Sequence, residues 1–149
     1  MTIKNLQLLF ERDLKKVKSE IESYTDEQNL WRIDHGISNS AGNLCLHLIG
    51  NLNAYIGVGL ANTSYIRNRA LEFSLKNIPR AELVKALENT IKVVADGFNN
   101  LKQDQLDKDF PLVIWDKPTE TEYTLLHLLT HLNYHLGQIN YHRRLVDKV

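Results

Sequence analysis

One cysteine, Cys45, stands in a chain of 149 residues. A lone thiol cannot close an intramolecular disulfide, so a chain of this length has to hold together by its core, and it suits a reducing compartment. Charge of one sign is missing as well: Lys plus Arg and Asp plus Glu number 18 each. Without a global positive field, and with no basic stretch interleaved with aromatics, the sequence argues against nucleic acid or anionic lipid as a partner. Every apolar run is broken by His, Asn or a charge well short of the ~20 residues a membrane-spanning helix needs. The first residues open directly into an amphipathic pattern with no apolar signal core, and the expectation is a cytoplasmic protein. No Gly-rich phosphate loop, nucleophile elbow or repeat of 20 to 50 residues occurs, which removes nucleotide binding, serine-esterase chemistry and a solenoid from consideration.

What the chain does have is helical periodicity. Ile3, Leu6, Phe10, Leu14, Val17 and Ile21 recur at three- and four-residue spacing, predicting a first helix from about Thr2 to Ser23. Thr25 to Gln28 offers a capping box for a short turn, with Thr25 as the cap. Ser38, Asn39 and Ser40 are candidate caps for a second helix over Ser40 to Leu60, whose apolar side includes Leu44, Cys45, Leu48, Leu52 and Ile56. Between Ala61 and Pro79 the pattern weakens, and a long, partly ordered connection is expected. Pro79 fits the first turn of a third helix, to about Leu101, carrying Leu83, Leu87, Ile91, Val94 and Phe98. The stretch Asp104 to Pro118 reads as a loop with a strand-like turn at Leu112-Val113-Ile114-Trp115. Thr119 and Glu122 make a capping box for a fourth helix, from about Thr121 to Val146. Four amphipathic helices that must bury their stripes on one another define an all-α, single-domain four-helix bundle over residues 1–149.

The fourth helix holds four of the six histidines. At about 100° per residue, taking His127 as zero, His131 falls near 40°, His142 near 60° and His135 near 80°, and the apolar face begins at about 100°. His131 and His135 therefore border the core on one face, the i, i+4 arrangement by which a helix offers two imidazoles to one ion. His47, in the middle of the second helix, is the best candidate for a third ligand from a facing helix. Three histidines leave a coordination position for water, as reactive sites do. A histidine at helical spacing is more commonly a hydrogen-bonded core or surface residue. Asn51 and Gln138 are candidates either for orienting ligands or for plain interhelical contacts. Arg67 and Arg69 are candidates for meeting a carboxylate or thiol cofactor, or for pairing with Glu72. Cys45 lies about 200° from His47 on the helix and belongs with the core, while Trp31 and Trp115 are expected to pack under loops.

The run Leu125 to Ile139, with His131-x-x-x-His135 followed by Gly137-Gln138-Ile139, resembles the signature of the DinB (damage-inducible)/YfiT-like superfamily. The block Asn43 to Leu52 around His47 is similar to that superfamily's second-helix motif, and Ile66-Arg67-Asn68-Arg69 with Glu72-Phe73 resembles the segment after it. The resemblance covers nearly the whole chain. It implies a four-helix bundle, often a homodimer, in which His47, His131 and His135 hold one divalent ion: zinc or nickel first, with iron or manganese also used. It further implies a small-molecule substrate and a metal-activated low-molecular-weight thiol or water, as in S-transferases; the alternative is a non-catalytic metal-binding or stress-response module. His127 matches a histidine of the superfamily that is not a ligand, and the chain departs from many members in carrying Tyr134 and Leu136 beside the last ligand. No catalytic base is evident in the sequence.

Overall fold

The computed structural model describes residues 2–147. Helix α1 spans Ile3–Glu22 and starts where the Thr2 hydroxyl accepts from the Asn5 amide. Its stripe, including Leu6, Phe10, Leu14 and Ile21, is fully buried. Helix α2, Ala41–Leu52, is capped by Ser40, whose side chain accepts from the Asn43 amide. It runs on through a π-helical turn, Asn53–Gly57, into a last α-helical turn, α3, Val58–Leu60. At the start of the π turn the Asn53 side-chain amide donates to the Ile49 carbonyl at 2.8 Å and to Thr90 Oγ1 at 2.9 Å. Helices α5, Arg80–Asn100, and α6, Thr121–Val146, complete the four long rods. Helix α1 packs on α5 and α6, and α2 packs on α5 and α6 from the other side. Phe10 of α1 meets Phe98 of α5 with ring centroids 5.3 Å apart, at the centre of the core. The all-α bundle expected from the stripes is the observed fold, and among the described residues no strand occurs beyond one isolated antiparallel bridge, Asp109 with Glu120.

Several local expectations are corrected. The turn after α1 is the 3-10 segment Glu27–Trp31, capped by Asp26 rather than Thr25: the Asp26 carboxylate accepts from the Gln28 amide. Thr119 does not cap α6; the position before its first residue is Glu120, without a side-chain cap bond, and the Thr119 hydroxyl donates to the Lys117 carbonyl. The bridge at Asp109 sets this geometry by pairing the Phe110 amide with the Thr119 carbonyl and the Thr121 amide with the Lys108 carbonyl. Residues 112 to 115 form no strand.

The largest correction lies in residues 61–79. This segment contains a further helix, α4, Arg69–Ser74, capped by Asn68, whose side chain accepts from the Leu71 amide. It is pinned to α2 because the Asn43 side-chain amide donates to the carbonyls of Glu72 and Leu75, at 2.9 and 2.8 Å. Weak periodicity concealed an element held by polar groups instead of an apolar stripe.

At the far end of α6, His142 is buried and both of its ring nitrogens are engaged: Tyr24 Oη lies 2.6 Å from Nδ1 and the Arg32 carbonyl 2.8 Å from Nε2. The carbonyl can only accept, so Nε2 carries the proton and Nδ1 accepts from the tyrosine. Burial pushes the imidazole below its ordinary range, against the opposing effect of the Arg32 carbonyl. In the unfolded chain this side chain takes up its proton as the pH falls through about 6.5, while the folded chain resists. Its contribution to stability is therefore present above that pH and is lost as acid protonates it. Urea midpoints of the metal-free chain should fall from about pH 7 to pH 5, and less steeply for His142→Gln. Equal slopes in the two proteins would show that His142 carries none of the dependence.

Candidate metal centre

His47 projects from the middle of α2 and His131 and His135 from successive turns of α6, where those helices pack together. One donor nitrogen from each ring converges, all within 4.8 Å of one another. His131 Nε2 sits 3.0 Å from His47 Nε2 and 3.1 Å from His135 Nε2. His47 is buried, and the other two are half-buried. His127, one turn earlier, points to solvent, edge-on to Trp115 at 4.9 Å between ring centroids and beside Tyr123. Trp115 thus lies on the surface, 37% exposed, and is not covered by a loop as expected; Trp31 does pack inward, against Gly42. Cys45 is fully buried, with its thiol pushed up to about 12 by that burial.

The outer nitrogens decide which protons the cluster can hold. His47 Nδ1 is 3.0 Å from the Glu72 carboxylate, and His135 Nδ1 is 2.7 Å from Gln138 Oε1. Both partners accept, so each Nδ1 carries the proton and each Nε2 turns a bare lone pair inward. His131 Nδ1 is buried without a hydrogen-bond partner. Its single proton can serve one of the two inward lone pairs well and not both. A cation at the point of convergence would satisfy all three nitrogens. The observed spacing also suits one, since tetrahedral zinc with Zn–N bonds of 2.0–2.1 Å sets its ligands about 3.3 Å apart. The donor set therefore fits a divalent ion.

Burial lowers the pKa of all three imidazoles. For His131 it does so to about 4, with repulsion from His135 and His47 adding to the effect. For His47 burial outweighs the support of Glu72, and for His135 it outweighs that of Gln138. The rings are neutral at ordinary pH, which is the form that binds metals.

Glu72 is the residue that the sequence reading missed as part of the site. It is 5% exposed on α4, and its carboxylate takes two hydrogen bonds from Arg67, Nε to Oε2 and Nη2 to Oε1, both at 2.9 Å. The same carboxylate holds His47, giving a chain from guanidinium to carboxylate to imidazole. Gly50 makes room for it: a Cβ there would overlap the Glu72 carboxylate. Arg67 is thus committed to Glu72, the structural one of its two anticipated roles. Arg69 is exposed, its guanidinium 5.4 Å from the Phe73 ring centroid, and Phe73 in turn packs 4.9 Å from the His47 ring. Gln138 reaches His135 as described. Asn51 is buried one turn beyond His47, with Oδ1 lacking a hydrogen-bond partner.

A groove of about 820 Å³ opens beside the cluster, between α6 and the loop of residues 34–39. His135 and Gln138 form part of its wall. His35 and Gly36 in that loop adopt left-handed backbone conformations, φ 54° and 75°.

These features define the protein as an all-α bundle with a three-histidine cluster, able to hold a metal ion, at the junction of two helices. By sequence the chain belongs to the DUF1572 family, described as a protein of unknown function, whose model matches residues 2–148. Among curated proteins no relative matches it. No helix of the described residues is long and apolar enough to cross a membrane.

Proposed function

We propose that this chain is a metal-dependent protein of the DinB/YfiT-like kind, in which His47, His131 and His135 bind one divalent ion through Nε2 and a small molecule reaches the remaining coordination position. The observation that carries the reading is the convergence of three neutral imidazoles, two of them locked in the inward-facing tautomer by Glu72 and Gln138. When bound, zinc or nickel would lower the pKa of a coordinated thiol or water enough to supply a nucleophile near neutral pH. The chain's own part is to fix the imidazoles. Glu72 orients His47 and, through its pairing with Arg67, keeps a carboxylate in a buried place; Gln138 orients His135. The groove beside His135 gives access for a substrate, which favours an enzyme that activates a low-molecular-weight thiol or water over a purely structural metal module. A homodimer accords with the same kinship.

Elemental analysis of untagged protein should find about one equivalent of metal per chain, with none retained by His47→Ala or His135→Ala. A parent protein that is metal-free and takes up neither zinc, nickel nor manganese would overturn the reading.

A further inference from the structure

Not every glycine of the helices is explained by packing. Cβ atoms at Gly42, Gly50 and Gly97 would strike Trp31, Glu72 and Ile56 respectively, so those positions require a missing side chain. Gly137 is different. It lies inside α6, where glycine costs up to about 1 kcal/mol relative to alanine, yet a Cβ there would meet nothing within 4 Å and its φ needs no glycine. Gly137 is part of the groove's wall, two residues beyond His135 and next to Gln138, and a Cβ there would enter open space.

The chemistry of that wall restricts what can occupy it. Ile37, Leu44, Tyr134, Tyr141 and Leu145 give it apolar and aromatic faces. Among the described residues, Asp34 is the one carboxylate, bound to Arg32 at 2.9 Å, and no lysine or arginine lines the groove. His142 contributes a ring whose two nitrogens are already engaged. The remaining polar groups of the wall, His35, Ser38, Asn39 and Asn140, lie among these apolar faces without a guanidinium or ammonium to fix an anion, and a volume of about 820 Å³ suits a small organic molecule. At one end the groove meets His135, one of the three histidines able to hold the ion.

We propose that this groove seats the uncharged, apolar body of the substrate, an alkyl- or aryl-bearing small molecule whose single donor group reaches the ion beside His135, and that Gly137 is kept bare to hold the groove open. The proposal rests on the metal site inferred above and adds the class of ligand and the residue that admits it.

The test uses the cobalt-loaded protein and a series of straight-chain hydroxamic acids from two to eight carbons, with affinity read from the cobalt absorption bands. Each methylene that enters the groove should tighten binding about fourfold, the equivalent of ~0.8 kcal/mol. In Gly137→Phe, whose side chain fills the groove, acetohydroxamic acid should bind as in the parent while the gain with chain length disappears; Gly137→Ala should keep most of it. Chain-length dependence that is absent from the parent, or unchanged in Gly137→Phe, would overturn the proposal and leave the metal site standing. Failure of the metal site itself shows beforehand as failure to take up cobalt. In that event 1-hexanol titrated into the metal-free chain provides the test: shifts of the amide resonances of Gly36, Gly137 and Tyr141 support the groove, and shifts only elsewhere overturn it.

Discussion

Glu72→Ala is expected to destabilise the metal-free protein by about 3 kcal/mol and to weaken metal binding by about 10- to 100-fold. The stability loss follows from Arg67. Its side chain is 15% exposed against 6% for Glu72, and removing the carboxylate leaves a largely buried guanidinium without its two hydrogen bonds. Breaking such a pair by deleting one partner generally costs about 3–5 kcal/mol, and the residual solvent contact of Arg67 places this case at the lower end. The affinity loss follows from His47, whose Nδ1–H would lose its acceptor, leaving its tautomer and ring orientation unfixed. Glu72→Gln separates the two effects: it preserves shape and one acceptor oxygen for His47 while giving up the charge opposite Arg67. Urea denaturation in the presence of a chelator, together with competition against a chromophoric chelator, measures both quantities. Undiminished metal affinity in Glu72→Ala would remove this residue from the site.

Gly50→Ala is expected to act in the same direction from the other side of the contact, by about 1–3 kcal/mol. Within a helix the substitution ordinarily stabilises, by up to about 1 kcal/mol. Here the sign reverses because the added methyl overlaps a carboxylate that cannot swing aside: Arg67 and His47 hold its oxygens, and Asn43 holds the backbone of its residue. Relief requires α4 to move away from α2, and Glu72 then leaves His47. Gly137→Ala is the matched control, since its new methyl meets open space and should give the ordinary gain. Thermal denaturation of the two variants beside the parent should move in opposite directions. An equal gain in both would show that α4 is not seated on Gly50.

The long helices were legible because each buries a stripe, and apolar residues at three- and four-residue spacing record that directly. The approximate bounds expected for α6 agree with those observed, although its cap does not: Thr119 has the right chemistry but is drawn instead into the loop closed at Asp109. The histidine cluster was legible for the same geometric reason as the stripes, His131 and His135 being one turn apart on the border of the apolar face. A helical wheel misplaces His142, because it gives angle without height. Seven residues beyond His135 it stands about 10 Å further along the axis, where it meets Tyr24.

The support of the site was the less legible part. Glu72 sits in a stretch with no periodicity, and its burial depends on Asn43 and Gly50, residues of another helix more than 20 positions away. One signal was present: Arg67 five residues before Glu72, in a chain with a glycine three residues after a mid-helix histidine. Only the docking of α4 turns that pattern into a contact. The groove was not legible at all, because it is bounded by a loop, residues 34–39, that carries no periodicity and includes the two left-handed residues His35 and Gly36.

His47 and His131 are separated by 84 positions in the chain and by a single hydrogen-bond length in space. An ion shared between them acts as a reversible staple closing a loop of most of the protein, and one that the unfolded polymer has no means of forming in advance. Its effect on folding then grows with the logarithm of free ion concentration above the dissociation constant. For a protein that depends on this staple, the supply of the ion would govern how much of the chain survives as well as how much of it works.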